Sequence, residues 1–149
     1  MMQITISQLD PQMIPLVQKL YKQHYKSSKA KKDELIFIAR RDQELCGVVR
    51  LKTIGEYRLL TGMLVIPKYR GFGIGHLLLQ HCSKVALNNR DYCFAYSNLE
   101  EFYQQHNFRL TPTERLPEPL KKLLLRYSAS GKPLSAMHYS DSDQSLLSF

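Results

Sequence analysis

A glycine-rich segment is the part of this sequence whose residue types and spacing could do chemistry. It reads Arg70-Gly71-Phe72-Gly73-Ile74-Gly75, and it follows an apolar run and leads into a helical pattern. Such a loop can hold phosphate, because the first turn of a helix leaves backbone N–H groups without partners and the helix dipole is positive there. Glycine lets a pyrophosphate approach the backbone and tolerates a positive φ. The segment therefore predicts a phosphate-binding loop.

Two better-known phosphate loops do not fit this segment. A Walker loop reads GxxxxGK[ST], whereas His76 and Leu77 follow Gly75 here, which disfavours a nucleotide triphosphatase. A dinucleotide-binding fold carries GxGxxG in its first βαβ unit. Here the glycines are spaced GxGxG, and three apolar runs with turn signals between them come first. The phosphate ligand is therefore expected on a different kind of fold.

The elements that must position this loop can be read from the spacing of apolar residues. Near the N-terminus, ITISQL alternates as a strand does, Asp10-Pro11 is typical of a helix N-cap with proline next, and IPLVQKLY has helical spacing. The basic stretch YKQHYKSSKAKK predicts a loop or a short second helix. The runs LIFIA, LCGVVRLKTI and YRLLTGMLVI predict an antiparallel meander.

After the loop, alternating helical and strand patterns continue to the end of the chain. A helix is expected to end near Asn88-Asn89, with an apolar face made of Ile74, Leu77, Leu78, His81, Cys82 and Val85. It is followed by a strand (DYCFAYS), a short helix (LEEFYQQHNF), an extended piece (RLTPTERL) and another helix (PEPLKKLLLRY). LSAMHY is expected to close the sheet as a last strand, and residues 140–149 are expected to be a flexible tail.

The glycine loop and its flanks resemble a known family. LVIPKYRGFGIGHLL is similar to the acetyl-coenzyme A loop of GNAT acetyltransferases, which reads [RQ]xxGx[GA] after a strand, and Arg70, Gly73 and Gly75 fill that pattern. The order of the predicted elements, from about Ile4 to Tyr139, also resembles the order in that family. The resemblance implies acetyl-coenzyme A (acetyl-CoA) as co-substrate.

A second segment adds to this resemblance. EEFYQQHNF is similar to the GNAT stretch FYxxxGF, which begins on the helix after the fifth strand, and Phe102, Tyr103 and Phe108 match it. Asn107 stands where the family has glycine. Asparagine is the next best residue for the left-handed conformation that ends a helix, so the substitution is physically tolerable.

The resemblance implies a mixed α/β (α+β) fold, the GNAT acyl-CoA N-acyltransferase fold. Its centre would be a mostly antiparallel six- to seven-stranded sheet flanked by helices and splayed between strands 4 and 5. We expect residues 1–139 to form this acetyltransferase domain. The pantetheine arm would lie along Met63, Leu64 and Val65, and the pyrophosphate on the loop from Arg70 through Gly71, Phe72, Gly73 and Ile74 to Gly75. No metal is expected.

The resemblance also implies a mechanism, namely direct attack of a primary amine on the thioester with Tyr103 as general acid. The general base stays open among Glu56 (expected to start the fourth strand), Glu100, Tyr57, Tyr96 and His24, or a relay through ordered water. Many family members carry an asparagine seven residues before the tyrosine. Tyr96 occupies that position here, and Asn98 lies only five before, so a contact between Asn98 and coenzyme A is left open.

Composition limits the partners. The chain has 149 residues, 44% apolar and 23% charged, which suits one soluble globular domain, and its formal net charge is +8. That charge favours an anionic ligand or surface, and because the basic residues are spread along the chain, charge alone does not choose between coenzyme A and nucleic acid. Lys121 and Lys122 are expected on the solvated edge of an amphipathic helix, which makes nucleic acid the less favoured partner. Two alternatives are kept: an acyl-CoA-binding regulatory protein without turnover, and a basic nucleic-acid-binding module.

The remaining expectations concern location and acceptor. MMQITISQLD lacks the features of a signal peptide, and no apolar run could span a bilayer, so a cytoplasmic protein without membrane contact is expected. The three cysteines are expected to be reduced and buried. The acceptor is expected to be a small-molecule or peptide amine that carries a negative charge, because lysines crowd residues 21–32. The sequence does not fix the oligomeric state, and a homodimer is compatible with it.

Overall fold

The computed structural model describes residues 3–26 and 28–140, so most of the predicted tail, residues 141–149, lies outside the described part. The described strands are β1 (Ile4–Gln8), β2 (Leu35–Arg41), β3 (Glu44–Ile54), β4 (Tyr57–Val65), β5 (Asp91–Tyr96), β6 (Phe108–Leu110) and β7 (Leu134–Tyr139). The α-helices are α1 (Ile14–His24), α2 (Ile74–Val85), α3 (Glu100–Gln104) and α4 (Glu118–Ala129). Nearly every predicted element is therefore present.

The strands form a mixed, mostly antiparallel sheet in the order β1-β2-β3-β4-β5-β7-β6, with β4 and β5 parallel. This confirms the predicted fold class. The splay between β4 and β5 stays a prediction. By its contacts the chain divides into two compact units: the first comprises the residues up to Lys52 and Leu60–Val85, and the second comprises Thr53–Leu59 and the residues from Ala86 onward.

In the first unit, β1 pairs with β2 and β2 with β3, both antiparallel. Helix α2 covers one face of this sheet, since a Cβ built on Gly47 of β3 would lie 3.2 Å from Ile74 and 3.3 Å from Leu78. Side chains alternate along a strand, so Arg50 lies on the opposite face, where it contacts Tyr21 of α1. The two helices therefore sandwich the sheet, and the basic segment after α1 reaches β2 without a described helix.

In the second unit, the last described strand lies inside the sheet. β7 pairs antiparallel with β5 on one side and with β6 on the other. Helix α4 covers this sheet and forms a core with it that consists of Leu59, Tyr92, Leu116, Leu120, Leu124 and Ala136. The piece RLTPTERL is only in part a strand, because β6 ends at Leu110 and a short 3-10 turn occupies Thr113–Arg115.

The cap at Asp10 and the buried face of α2 agree in part with the sequence predictions. Asp10 accepts a hydrogen bond from the Gln12 N–H, as an N-cap does, although the turn it caps is a 3-10 turn that precedes α1. The buried face of α2 contains Leu79 in place of Leu77 and Val85, which are exposed, and the helix ends at Val85. All of the cysteines, Cys46, Cys82 and Cys93, are free thiols and buried.

Candidate cofactor and acceptor site

The glycine loop has the backbone that its sequence predicts. Gly71 and Gly73 have φ angles of +87° and +78°, a region that side chains resist, and a Cβ built on either would meet nothing within 4 Å. Helix α2 begins directly after them, and the Leu77 N–H donates to the Gly73 carbonyl. The N–H groups of the first helical turn, including those of Ile74 and Gly75, therefore have no carbonyl partner within the helix. This arrangement suits an anion.

A cavity of about 430 Å³ lies at this loop, within the first unit. It brings together most of the predicted cofactor residues, because its lining comprises Val65, Tyr69, Arg70, Gly71, Gly73, Ile74, Gly75 and His76. Phe72 projects from the loop and is 58% exposed. Open space at the glycines, N–H groups at a helix start and an arginine together fit a pyrophosphate.

The end of β4 supplies the second part of the predicted cofactor site. The Ile66 N–H donates to the Cys46 carbonyl of β3. Because successive peptide groups point to opposite edges of a strand, the backbone groups of Met63 and Val65 point away from β3. Arg70 Nε donates to the Val65 carbonyl at 2.9 Å, which ties the loop to this strand. Leu64 is buried.

A cluster of Glu44, Lys68 and Tyr69, which the sequence did not predict, connects the glycine loop to β3. The Tyr69 hydroxyl donates to Glu44 Oε1 at 2.5 Å, and Lys68 Nζ lies 2.7 Å from Glu44 Oε2. These hydrogen bonds lower the pKa of the Glu44 carboxyl, and the Lys68 bond does so most. The cluster joins the turn before Arg70 to the start of β3, so it holds the loop in register with the sheet.

Tyr103 belongs to the second unit, where it lies in a cluster of aromatic rings. It is buried on α3, and its ring makes edge contacts with Phe102 and Phe108, with centroids 5.0 and 5.8 Å apart. Asn107, which ends this helical segment, has a φ of +69°. The left-handed role predicted for Asn107 is thereby confirmed, and the turn it makes brings Phe108 back onto Tyr103.

The candidates for the general base lie in different surroundings. Glu56 is exposed in the turn before β4, so it does not start that strand as the sequence suggested. Gly55 beside it has a φ of +62°, and these two residues make the turn, so β4 begins at Tyr57. His24 and Tyr96 are also exposed. Tyr57 packs edge-on against Tyr92 at 6.0 Å.

Glu100, the remaining base candidate, and Asn98 both follow β5. Glu100 is half-buried at the start of α3, and Asn98 is exposed in the short turn before it. Neither position singles out a base or a coenzyme A contact.

A buried polar cluster on the α1 face of the first unit is the other feature that sequence reasoning missed. Arg50 is 5% exposed, and its guanidinium bonds to Tyr21 and Glu34 among other groups. Burial raises the pKa of Tyr21 to about 12, although the nearby Arg50 acts in the opposite direction. A single arginine inside the apolar run LCGVVRLKTI was the available signal, since such a residue is seldom buried without a partner.

The basic segment after α1 presents its charges to solvent. Lys26, Lys29, Lys31 and Lys32 of this segment are exposed, and so is Lys22, which lies in the last turn of α1 and not in the loop or second helix that the sequence predicted. Within residues 3–26 and 28–140, no group of three or more His, Cys, Asp or Glu side chains could hold a metal ion. None of the helices in this part of the chain is long and apolar enough to cross a membrane.

Solved structures similar to this chain share its fold. N-acetylglutamate synthase from Neisseria gonorrhoeae, complexed with coenzyme A and N-acetyl-glutamate, matches 92% of this chain at 21% identity, with a TM-score of 0.72. This chain spans only 35% of that protein. Rv2747 from Mycobacterium tuberculosis, in complex with CoA, matches 91% of this chain and 98% of its own at 14% identity, with a TM-score of 0.69.

A third structure, NAA60 of Arabidopsis thaliana with a bisubstrate analogue, matches 92% of this chain and 97% of its own at 16% identity, with a TM-score of 0.59. No curated protein matches the sequence. A family model described as an acetyltransferase (GNAT) domain matches residues 32–110, more than half of the chain. The match covers the meander, the glycine loop and the segment EEFYQQHNF. The chain therefore belongs to the GNAT acetyltransferase family, in which acetyl-CoA is the acetyl donor.

Proposed function

We propose that this protein transfers the acetyl group of acetyl-CoA to a primary amine of a small molecule or peptide, by direct attack of the amine on the thioester. The observation that carries this proposal is the glycine loop: two positive-φ glycines with open space around them precede α2 and line a cavity with Arg70. The loop would hold the pyrophosphate. The edge of β4 at Met63 and Val65 would hold the pantetheine arm, and residues 1–139 would form the domain.

Tyr103 is proposed as the general acid. When the tetrahedral adduct of amine and thioester collapses, coenzyme A leaves as a thiolate, which needs a proton. A cysteine-like thiol has a pKa near 8.5 and a phenol one near 10, so a tyrosine keeps its proton at neutral pH and can donate it to the sulfur. The edge contacts of Phe102 and Phe108 fix the ring, which is what a proton donor at a defined position requires.

The attacking amine must first lose its own proton, because free alkylamines are mostly protonated at neutral pH. The surroundings of the base candidates favour a relay through ordered water, since Glu56 is exposed in a turn and His24 and Tyr96 are also exposed. A backbone N–H of β4 would stabilise the oxyanion. No side chain other than Tyr103 is given a proton-transfer role in this proposal.

The acceptor is proposed to carry a carboxylate or phosphate. The exposed lysines of the segment after α1 repel polycations and attract anions. The Neisseria structure that shares this fold holds N-acetyl-glutamate, a product with carboxylates, which agrees with this class of acceptor. Acetylation of spermidine in preference to every anionic amine in a panel would contradict this assignment.

The test is turnover of acetyl-CoA against a panel of amines, with the acetyl-CoA dissociation constant measured directly. Tyr103→Phe should lower kcat by about tenfold to a thousandfold and leave the dissociation constant unchanged, because the ring stays and only the proton is lost. Tyr139→Phe is the matched control, since Tyr139 is also buried and also packs edge-on against Phe108. It should leave kcat unchanged.

Three results would contradict parts of the proposal. Equal turnover of Tyr103→Phe and wild type, with chemistry rate-limiting, would leave Tyr103 a structural residue. Binding of acetyl-CoA without transfer to any amine would favour a regulatory acyl-CoA-binding protein. Binding of RNA or DNA with a steep dependence on salt, and no binding of coenzyme A, would favour a nucleic-acid-binding module.

A further inference from the structure

Arg50 is a charged residue within the buried stretch of β3, between Val49 and Leu51. It lies in the middle of β3 with 5% of its surface exposed. A guanidinium removed from water is costly unless its donors are satisfied. The arrangement of its partners therefore shows what the residue is for.

Those partners lie on the basic segment rather than on the sheet. Nη1 donates to the Lys29 carbonyl at 2.5 Å and to Glu34 Oε1 at 2.6 Å, and Nη2 donates to Ser28 Oγ at 2.7 Å. Glu34 Oε1 also accepts from the Lys31 N–H at 2.7 Å. One side chain thus fixes both ends and the backbone of the segment Ser28–Glu34.

The same guanidinium is joined to β4. Its Nε donates to the Tyr21 hydroxyl at 3.1 Å, and that hydroxyl donates to the Gly62 carbonyl at 2.7 Å. Gly62 has a φ of +67°, and a Cβ there would lie 2.5 Å from the Tyr21 oxygen and 2.7 Å from Arg50 Nε. Only glycine fits, and the next residue is Met63, where the proposed pantetheine edge begins.

The fixed segment carries charge that Arg50 leaves available. Its bonds reach the Lys29 carbonyl, the Ser28 hydroxyl and the Glu34 carboxylate, so they consume no lysine ammonium. Lys29, Lys31 and Lys32 remain exposed, with Asp33 the exposed acid of the segment. Because the backbone of Ser28–Glu34 is held while its lysine side chains face solvent, the ammonium groups stay near one position relative to the sheet.

From this arrangement we infer that Arg50 is a positioning residue that holds the lysines of Ser28–Glu34 beside β4 at Gly62 and thereby sets the preference for an anionic amine. The inference rests on the proposed function and gives its acceptor preference a structural origin. Arg50 itself is not expected to touch the substrate, because its donors are engaged with protein groups.

The test is a selectivity ratio, namely kcat/KM for an α-amino acid divided by kcat/KM for its α-carboxamide, which has a similar shape but lacks the carboxylate charge. Arg50→Lys keeps the charge but cannot bond to all these groups at once. It should reduce the ratio by about tenfold, the effect of losing a hydrogen bond to a charged group. Ser28→Ala, which removes one of these bonds and is expected to fold, should reduce it by a smaller factor.

The matched control is Arg58→Lys. Arg58 also forms an ion pair with a buried carboxylate, its Nε and Nη2 each lying 2.7 Å from an Asp91 oxygen, but it belongs to the second unit. It should lower stability and leave the ratio unchanged. A second readout needs no turnover: trypsin should cleave after Lys29, Lys31 and Lys32 at least about tenfold faster in Arg50→Lys than in wild type or Arg58→Lys.

The outcomes separate the inference from the proposed function. If wild type acetylates amines while Arg50→Lys and Ser28→Ala keep the wild-type ratio, the positioning role is wrong and the proposed function stands. An equal fall of the ratio in Arg58→Lys would reduce Arg50 to a general stability residue. If wild type acetylates no amine, the proposed function fails and the inference fails with it.

Discussion

Substitutions at two glycines can separate cofactor binding from backbone strain. Gly73, in the loop, has a φ of +78°, and Gly131, after α4, has a φ of +92°; a Cβ on either would meet nothing within 4 Å. A side chain in this conformation costs about 1–2 kcal/mol. For a chain of this size we expect a loss of about 2 to 8 °C in melting temperature, similar for Gly73→Ala and Gly131→Ala.

The two positions should differ once acetyl-CoA is present. At a concentration of 100 times its dissociation constant, a ligand adds about 2.7 kcal/mol of stability to the state it binds. An aspartate at Gly73 would place a carboxylate near the pyrophosphate. A pair of unit charges about 4 Å apart repels by about 1 kcal/mol in water and about 4 kcal/mol at an effective dielectric constant of 20. Gly73→Asp should therefore weaken binding between about fivefold and several hundredfold.

The assay is the melting temperature with and without acetyl-CoA, together with calorimetric dissociation constants, for alanine and aspartate at both positions. Gly131→Asp should bind like wild type, and Gly73→Ala should weaken binding less than Gly73→Asp does. If Gly73→Asp is folded and binds acetyl-CoA as tightly as wild type, the loop is not the pyrophosphate site. Equal weakening by Gly131→Asp would show that strain, and not contact, explains the loss.

Three further predictions concern stability and reactivity. Asn107→Gly should raise the free energy of unfolding by up to about 1 kcal/mol in denaturant titrations, since it relieves a φ of +69°; a clear decrease would contradict this. The buried thiols of Cys46, Cys82 and Cys93 should react with a thiol reagent at pH 8 only after unfolding. Burial raises the pKa of Cys93 well above 9.0, so the folded state keeps a proton that the unfolded chain releases, and stability should fall above about pH 9. Cys93→Ala should reduce that fall, and an unchanged slope would exclude Cys93 as its source.

The sequence predicted elements whose evidence is local. Alternation predicted β1, and apolar runs between turn signals predicted the meander. The loop glycines were expected to tolerate a positive φ, and Gly71 and Gly73 adopt one. The place of β7 was not predictable, because nothing in LSAMHY specifies that it pairs with both β5 and β6. Pairing partners far apart in sequence are chosen by packing, and hydrophobic spacing does not report on them.

The same division applies to the candidate site. Loop residues that touch a phosphate carry their own signal, since few residues other than glycine permit that backbone. The groups that support the loop have no such signal in the sequence. Glu44 and Tyr69 meet only because β3 and the turn after β4 are neighbours. The sequence could have predicted that Arg50 is one partner of a buried ion pair. It could not have predicted the contact with Lys29, because that contact is to a backbone carbonyl, which any residue type would offer.

The central place of β7 has a consequence for how the second unit is made. On the ribosome, β5 and β6 are synthesised before the strand that joins them, and about 40 residues separate Tyr96 from the end of β7. At a synthesis rate of about 5–20 residues per second, one edge of β5 has no partner strand for roughly two to nine seconds. During that interval the nascent chain carries a bare strand edge, the kind of surface that recruits chaperones or wrong partners.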